Sequence, residues 1–230
     1  MTTIGIIGAM DIEIGKLIEK YNLVKDKVKD IYISEFDDKR IVVAMSGVGK
    51  VNSAAMTQYI IDKYEVDAII NSGVAGGISN KLKVMDLVIS EYVTYHDFEP
   101  VRIMESYVPD KGKIRANGML ISLANKVIKD MGITNSHYAP ICSGDAFVQD
   151  EKLKNNIHLR TGAVAVDMES ASIAHTCRMN NIPFISIRTI SDMADGGEYL
   201  EDIAAYKSSE FVSNLVTEIF NYLDKNKIID

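Results

Sequence analysis

The chain has 230 residues, 47% of them hydrophobic, which is enough for a sizeable core. Its formal charge of -7 argues against a nucleic-acid-binding surface, which needs a basic patch to neutralise phosphates. No apolar stretch approaches a membrane span, and the short apolar run from Ile4 to Met10 lacks a basic leader and meets Asp11 and Glu13, unlike a signal peptide.

Taken in order, Thr3 to Gly8 reads as a buried strand. Asp11 to Tyr21 follows as a helix with Ile14, Leu17, Ile18 and Tyr21 on one face, and with Asp11 and Glu13 in its first turn. Residues 28–36 alternate like a half-exposed strand, Asp37 and Asp38 turn the chain, and residues 40–45 return as its neighbour. SGVGK at 46–50 is a glycine-rich junction leading into a helix over 51–64. Residues 66–71 form a buried strand ending in the junction SGVAGG, and 86–95 form another, ending at His96 and Asp97. Two prolines and many charges make 98–116 a loop. A helix over 118–131 stops at Gly132, a strand over 137–142 leads into SGDAF, and 150–156 is a short helix. An apolar run ending at Val166 then delivers Asp167, Met168 and Glu169, a helix follows, and the run 184–190 delivers Arg188, Ser191 and Asp192. The last helix covers 208–223. Strands and helices alternate without a linker or repeat. This predicts one domain over 1–230, a three-layer α/β/α sandwich with a mixed central sheet flanked by helices.

In open α/β sheets ligands bind outside the carboxyl ends of strands, so Glu169 and Asp192 are placed to share a pocket. Each has an ordinary explanation: Glu169 and Glu13 open helices, where a carboxylate suits the dipole, and Asp192 is a natural turn residue. Arg188 is harder to explain away, because a charge inside an apolar strand needs a partner or a ligand. Phe147 follows a turn-like SGD, and Met10 and Met168 stand at strand ends, as core or as pocket wall. Glycine-rich junctions at three strand ends (GIIGAM, SGVGK, SGVAGG) suit close approach of a ligand, yet no dinucleotide or phosphate-loop motif fits. His96 and Asp97 adjoin in sequence and so point to opposite faces of a strand, which argues against a catalytic pair. The four histidines show no metal spacing. Cys142 and Cys177 read as buried thiols of a reducing, cytoplasmic compartment.

The segments IGIIGAMDIEI, SGVGKVNSA, INSGVAGGI, YHD, SGDAF, VDMESASIAH and IRTISDMAD together resemble the bacterial 5′-methylthioadenosine/S-adenosylhomocysteine nucleosidases of the purine nucleoside phosphorylase superfamily. They stand in the family's order and span almost the whole chain. The resemblance implies a cytoplasmic homodimer, without a cofactor, that hydrolyses the adenine–ribose bond of a small nucleoside. It implies that Glu13 is the base that activates water and that Asp192 is the acid at adenine N7. Met168 and Glu169 match the ribose-binding pair, Phe147 the residue stacked on adenine, and Val148 the one whose backbone reads the adenine edge. Gly76, Val48, Met10 and Ser191 match pocket-lining positions, and Arg188 a residue near the water. The chemistry agrees: the transition state is oxocarbenium-like, and adenine leaves well only once protonated, which a dry pocket around Asp192 favours.

Departures from the family pattern fall at two places. Val74 stands where the nucleosidases commonly carry Ser, which leaves the water to Glu13 and Arg188 and argues against phosphorolysis. The segment FEPVRIMESYVP at 98–109 replaces an aromatic, glycine-containing loop that crosses the dimer interface and covers the 5′-substituent. Val101, Ile103, Met104, Tyr107 and Pro109 are the candidates for that cover, and Tyr199 for a family phenylalanine after Asp192. The alternatives are a purine nucleoside phosphorylase, a hydrolase of another purine nucleoside on the same fold, and a non-catalytic nucleoside sensor.

Overall fold

The computed structural model describes residues 1–27 and 30–227. The first strand, β1 (Thr2–Gly8), leads into helix α1 (Asp11–Tyr21), and a short β2 (Val24–Lys25), β3 (Ile31–Phe36) and β4 (Lys39–Met45) follow. The start of the strand expected from Val28 lies outside the described residues. Helix α2 (Lys50–Tyr64) precedes β5 (Ala68–Gly77) and β6 (Leu87–Tyr95). Then come α3 (Val101–Tyr107), a 3-10 turn (Pro109–Gly112), β7 (Ile114–Arg115), α4 (Gly118–Asp130) and β8 (Ser136–Ser143). The chain ends with α5 (Glu151–Thr161), β9 (Ala165–Asp167), α6 (Ser170–Met179), β10 (Phe184–Asp192) and α7 (Glu201–Lys227).

The three expected layers are present around a mixed sheet. Ile4, Ile6, Ile41, Val43, Ile185 and Ile187 face one way, against Leu17 of α1, Leu123 of α4 and Leu215 of α7. Their neighbours Ile7, Val42, Ala44 and Ile69 face the other way, against Ile60 of α2 and Ile173 of α6. This is the period-two pattern of strands buried on both sides. Among the described residues no helix is long and apolar enough to cross a membrane.

Two features position the pocket. β5 runs parallel to both β1 and β10, so the sheet's centre is three parallel strands that deliver their carboxyl ends together. The sheet also closes on itself: β10 pairs with β6, β6 with β8, β8 with β9, and β9 returns to Gly76 and Gly77 of β5. The strand ends therefore ring a hollow rather than open along a line.

Four local expectations are corrected. SGVAGG is not a junction but the continuation of β5, paired with β10 as far as Gly76. Residues 98–116 are not a loop: α3 turns Met104 into the core, and β7 pairs with β6. Helix α5 continues to Thr161, closed by Gly162 in the left-handed region, rather than stopping at residue 156. Helix α7 begins at Glu201 rather than 208, because Ala204 and Ala205 already bury its first turns.

Candidate active site

The pocket floor is built from strand ends, and the first of its acids comes from the helix after β1. Glu13 is the third residue of α1, and its carboxylate turns back over the helix's free amides. Its Oε2 accepts from the N–H groups of Ala9 (2.6 Å) and Met10 (3.2 Å), and its Oε1 from that of Val74 on β5 (2.9 Å). The backbone of Val74 thus holds the Glu13 carboxylate where its side chain cannot. Glu13 is 1% exposed. Burial raises its pKa against the opposing pull of Arg188 and the three amides.

Glu169 stands just before α6. Its Oε1 accepts from the N–H of Gly49 (2.9 Å), which glycine's positive φ of 99° aims across the pocket. Burial, against Arg188 and with help from Asp167, pushes its pKa up to about 7. Asp192 ends β10. Its Oδ2 accepts from the Ser191 hydroxyl (2.8 Å) and its Oδ1 from the Ala194 N–H (2.7 Å). The Ser191 hydroxyl has a second acceptor in the Ala75 carbonyl (3.4 Å), so it can release Asp192 when that carboxyl carries a proton.

Between the acids lies one guanidinium. Arg188 is fully buried, with Nε on Asp167 (2.7 Å), Nη2 near Glu169 (3.5 Å) and Nη1 3.7 Å from Glu13 Oε1. The partner that its position in an apolar strand demanded is therefore three carboxylates. Arg188 lies opposite Gly73 of β5, where a Cβ would overlap both its Nη1 and the Glu13 carboxylate. Only a residue without a side chain lets the Glu13 carboxylate and the guanidinium meet there.

Met10, Glu13, Val48, Gly76, Phe147, Val148, Met168, Glu169, Ser191 and Asp192 all line one cavity of about 130 Å³. Arg188 is the exception among the expected site residues: it stands behind the wall, against Glu13, Asp167 and Glu169. Tyr199 also lines the cavity, its ring edge-on to Phe147 at 5.9 Å between centroids. Residues 98–109 do not line it, and neither do His96 and Asp97. Met104 is buried in the core instead, while Val101, Ile103 and Tyr107 face outward. Asp167, Asn71 and Ser170 were not singled out as functional from the sequence, yet they hold Arg188 in place. The signal was available, because Asn71 is a polar residue inside an apolar strand, as Arg188 is.

Five acidic residues line the cavity (Glu13, Asp167, Glu169, Asp192 and Glu201), with no lysine, arginine or histidine among the described lining residues, and the Asp167 carboxylate itself turns away to Arg188, Ser143 and Ser170. Such a wall repels anions and favours developing positive charge. The Phosphorylase superfamily model matches residues 3–221. A 5′-methylthioadenosine/S-adenosylhomocysteine nucleosidase of Oceanobacillus iheyensis is 37% identical over 206 residues, covering 84% of this chain and 86% of the relative. The nucleosidase of Neisseria meningitidis, solved with methylthio-immucillin-A, is 34% identical with a TM-score of 0.85, over 94% of this chain and 99% of that one. A futalosine hydrolase of Helicobacter pylori is 30% identical with a TM-score of 0.87, over 94% and 98%. Fold, match and site agree: the chain belongs to the phosphorylase superfamily and, within it, to the family of 5′-methylthioadenosine/S-adenosylhomocysteine nucleosidases.

Proposed function

We propose that this enzyme hydrolyses the N-glycosidic bond of 5′-methylthioadenosine and S-adenosylhomocysteine, releasing adenine and the 5-substituted ribose. The observation that carries hydrolysis over phosphorolysis is that every charged residue lining the cavity is acidic. Phosphate would meet these acids with no cation among the described lining residues, whereas water and a cationic ribose are welcome there. Placement supports the following residue roles. Glu13, ionised and fixed by three backbone amides, takes a proton from water. Glu169 accepts from the ribose hydroxyls with Met168 beside it. Phe147 stacks on adenine, and the backbone of Val148 reads its edge. Asp192, with Ser191 swung to the Ala75 carbonyl, donates to N7 so that adenine leaves neutral. Met10, Val48 and Gly76 shape the wall.

We further propose a cytoplasmic homodimer without a cofactor. Buried, unpaired Cys142 and Cys177 suit a reducing compartment. The outward apolar side chains of α3 suit a second copy.

Adenine release from a panel of nucleosides, with and without phosphate, tests the reaction. The panel holds 5′-methylthioadenosine, S-adenosylhomocysteine, 5′-deoxyadenosine, adenosine and futalosine. Asp192→Asn should lose at least about a hundredfold in kcat while still binding nucleoside, as expected for removing an acid used only in the transition state. Glu13→Gln should behave alike with the fold intact. Ribose 1-phosphate among the products, or near-normal turnover by either variant, would sink this reading.

A further inference from the structure

Behind the acids, β5 presents a seat for Arg188. Asn71 and Gly73 point to the same face of β5 and lie opposite Ser186 and Arg188 of β10. Asn71 is fully buried. Its Nδ2 donates to the Ile7 carbonyl (3.0 Å), which turns its Oδ1 toward the guanidinium. That oxygen accepts from Arg188 Nη2 (2.8 Å), Ser170 Oγ (2.8 Å) and Ser186 Oγ (3.1 Å).

We propose that Asn71 is a positioning residue for the hydrolysis: its amide oxygen sets the Arg188 guanidinium between Glu13 and Glu169 while adding no charge to the cluster. The inference rests on the nucleosidase reading above. Two observations carry it. First, the bond from Asn71 is the shortest that Nη2 makes; Ser170 stands at 3.2 Å and Glu169 at 3.5 Å. Nη1 has no hydrogen-bond partner among the described residues. A guanidinium is a rigid plane, so the aim of Nη1 at Glu13 is decided at Nη2 and Nε. Asn71 holds one of those two corners, and Asp167 the other. Second, the charged groups that face Arg188 are Asp167, Glu13 and Glu169, from β9, from α1 and from the turn before α6. One cation already serves three anions. From β5 comes a neutral acceptor of the same shape as aspartate, so the oxygen is supplied without a fourth negative charge.

Charge and shape can be separated by two substitutions. Asn71→Asp keeps the shape and adds a buried anion, which disfavours ionised Glu13 and Glu169. The acid limb of its kcat/KM profile should move up by about one pH unit, a roughly tenfold loss below the limb that is recovered above it. Asn71→Ser removes the Nη2 acceptor without adding charge. Its kcat should fall at least about tenfold at every pH, with KM within about threefold, because the lost contact steers the base and not the substrate. Both are read beside wild type, with thermal melts for folding.

A wild type that releases no adenine from any nucleoside of the panel overturns the nucleosidase reading, and this inference with it. An active wild type beside a folded Asn71→Asp variant with an unmoved pH profile overturns the positioning role alone, as does a folded Asn71→Ser variant with normal kcat. If neither variant folds, Asn71 serves the fold and the inference is wrong.

Discussion

Burial resists a charge on Glu169. Burial first, then Asp167 and Glu13, push its carboxyl up to about 7 against the pull of Arg188 and the Gly49 amide. The folded state therefore holds this proton more tightly than the unfolded chain, where the group titrates near 4.5. Its contribution to stability is complete below pH 4.5 and is lost as pH rises through about 7. A displacement from 4.5 to about 7 is worth on the order of 3 kcal/mol, or several degrees in Tm for a domain of this size. Glu169→Gln cannot ionise, so its melting temperature should decline less than that of wild type between pH 5 and 7.5. Parallel melting curves for the two would refute the assignment. In the proposed role Glu169 accepts from the ribose hydroxyls in its ionised form, so nucleoside binding should in turn weaken as pH falls below 7. At this scale the sequence was informative wherever a residue was out of place. Arg188 in an apolar run demanded a partner, and Glu13, Glu169 and Asp192 at element ends marked the pocket. Ser170 and Asp167 left no such mark, since polar residues at a helix start are ordinary and their role exists only once β10 lies beside them.

Three elements are tied together beside the pocket through Asp97. Its Oδ2 accepts from Lys50 Nζ at the start of α2 (2.5 Å) and from the Asp145 N–H (2.9 Å). Asp145 Oδ1 in turn accepts from the Lys50 N–H (2.8 Å). This latch joins the end of β6 to the α2 N-terminus, whose Gly49 serves Glu169, and to the segment that carries Phe147 and Val148. Lys50 and the other bonds hold Asp97 well in its charged form, its pKa lowered although burial alone would raise it. Asp97→Ala removes the bond to the Asp145 N–H and the ion pair with Lys50, and leaves the segment that carries Phe147 held by the Lys50 N–H alone. Charge-assisted bonds of this kind contribute roughly 1.5 kcal/mol or more each, so KM should rise at least about tenfold, with a smaller change in kcat. Unchanged KM would show that the segment holds itself. Adjacency in sequence suggests that His96 and Asp97 point apart, yet both lie past the end of β6 and both side chains pack against Gly144, and adjacency says nothing of the distant loop that Asp97 meets. The same limit explains residues 98–116 and SGVAGG. Prolines and charges there suggested loop, yet one buried face at Met104 suffices for two helical turns. Glycines suggested a turn, yet in β5 they keep a strand flat against Glu13, Arg188 and Asp192.

At the scale of the whole molecule, alternation of strands and helices made the three layers legible, and closure of the sheet was not. Closure depends on β9, three residues that pair on both sides, too few to announce partners by pattern. Closure also leaves the outer edge of the pocket to residues beyond the ring. Phe147 is 55% exposed there, and Val48 is 44% exposed. Val51, the second residue of α2, is 79% exposed, and Tyr107 ends α3 with 80%. A second copy covers them economically if its α3 segment lies over the pocket mouth, where this chain's own segment does not reach. The 5′-substituent would then lie against side chains of both copies. The enzyme should therefore migrate at twice the mass of one chain in light-scattering chromatography. Replacing Ile103 and Tyr107 together by Glu should yield monomers that remain folded, since both side chains are exposed in the single chain. Those monomers should lose most of their preference for 5′-methylthioadenosine over adenosine. In the proposed roles one chain alone holds adenine and the ribose hydroxyls, so residual turnover of adenosine should survive. A monomeric wild type, or dissociated variants with the full preference intact, would place the 5′-group's contacts within a single chain.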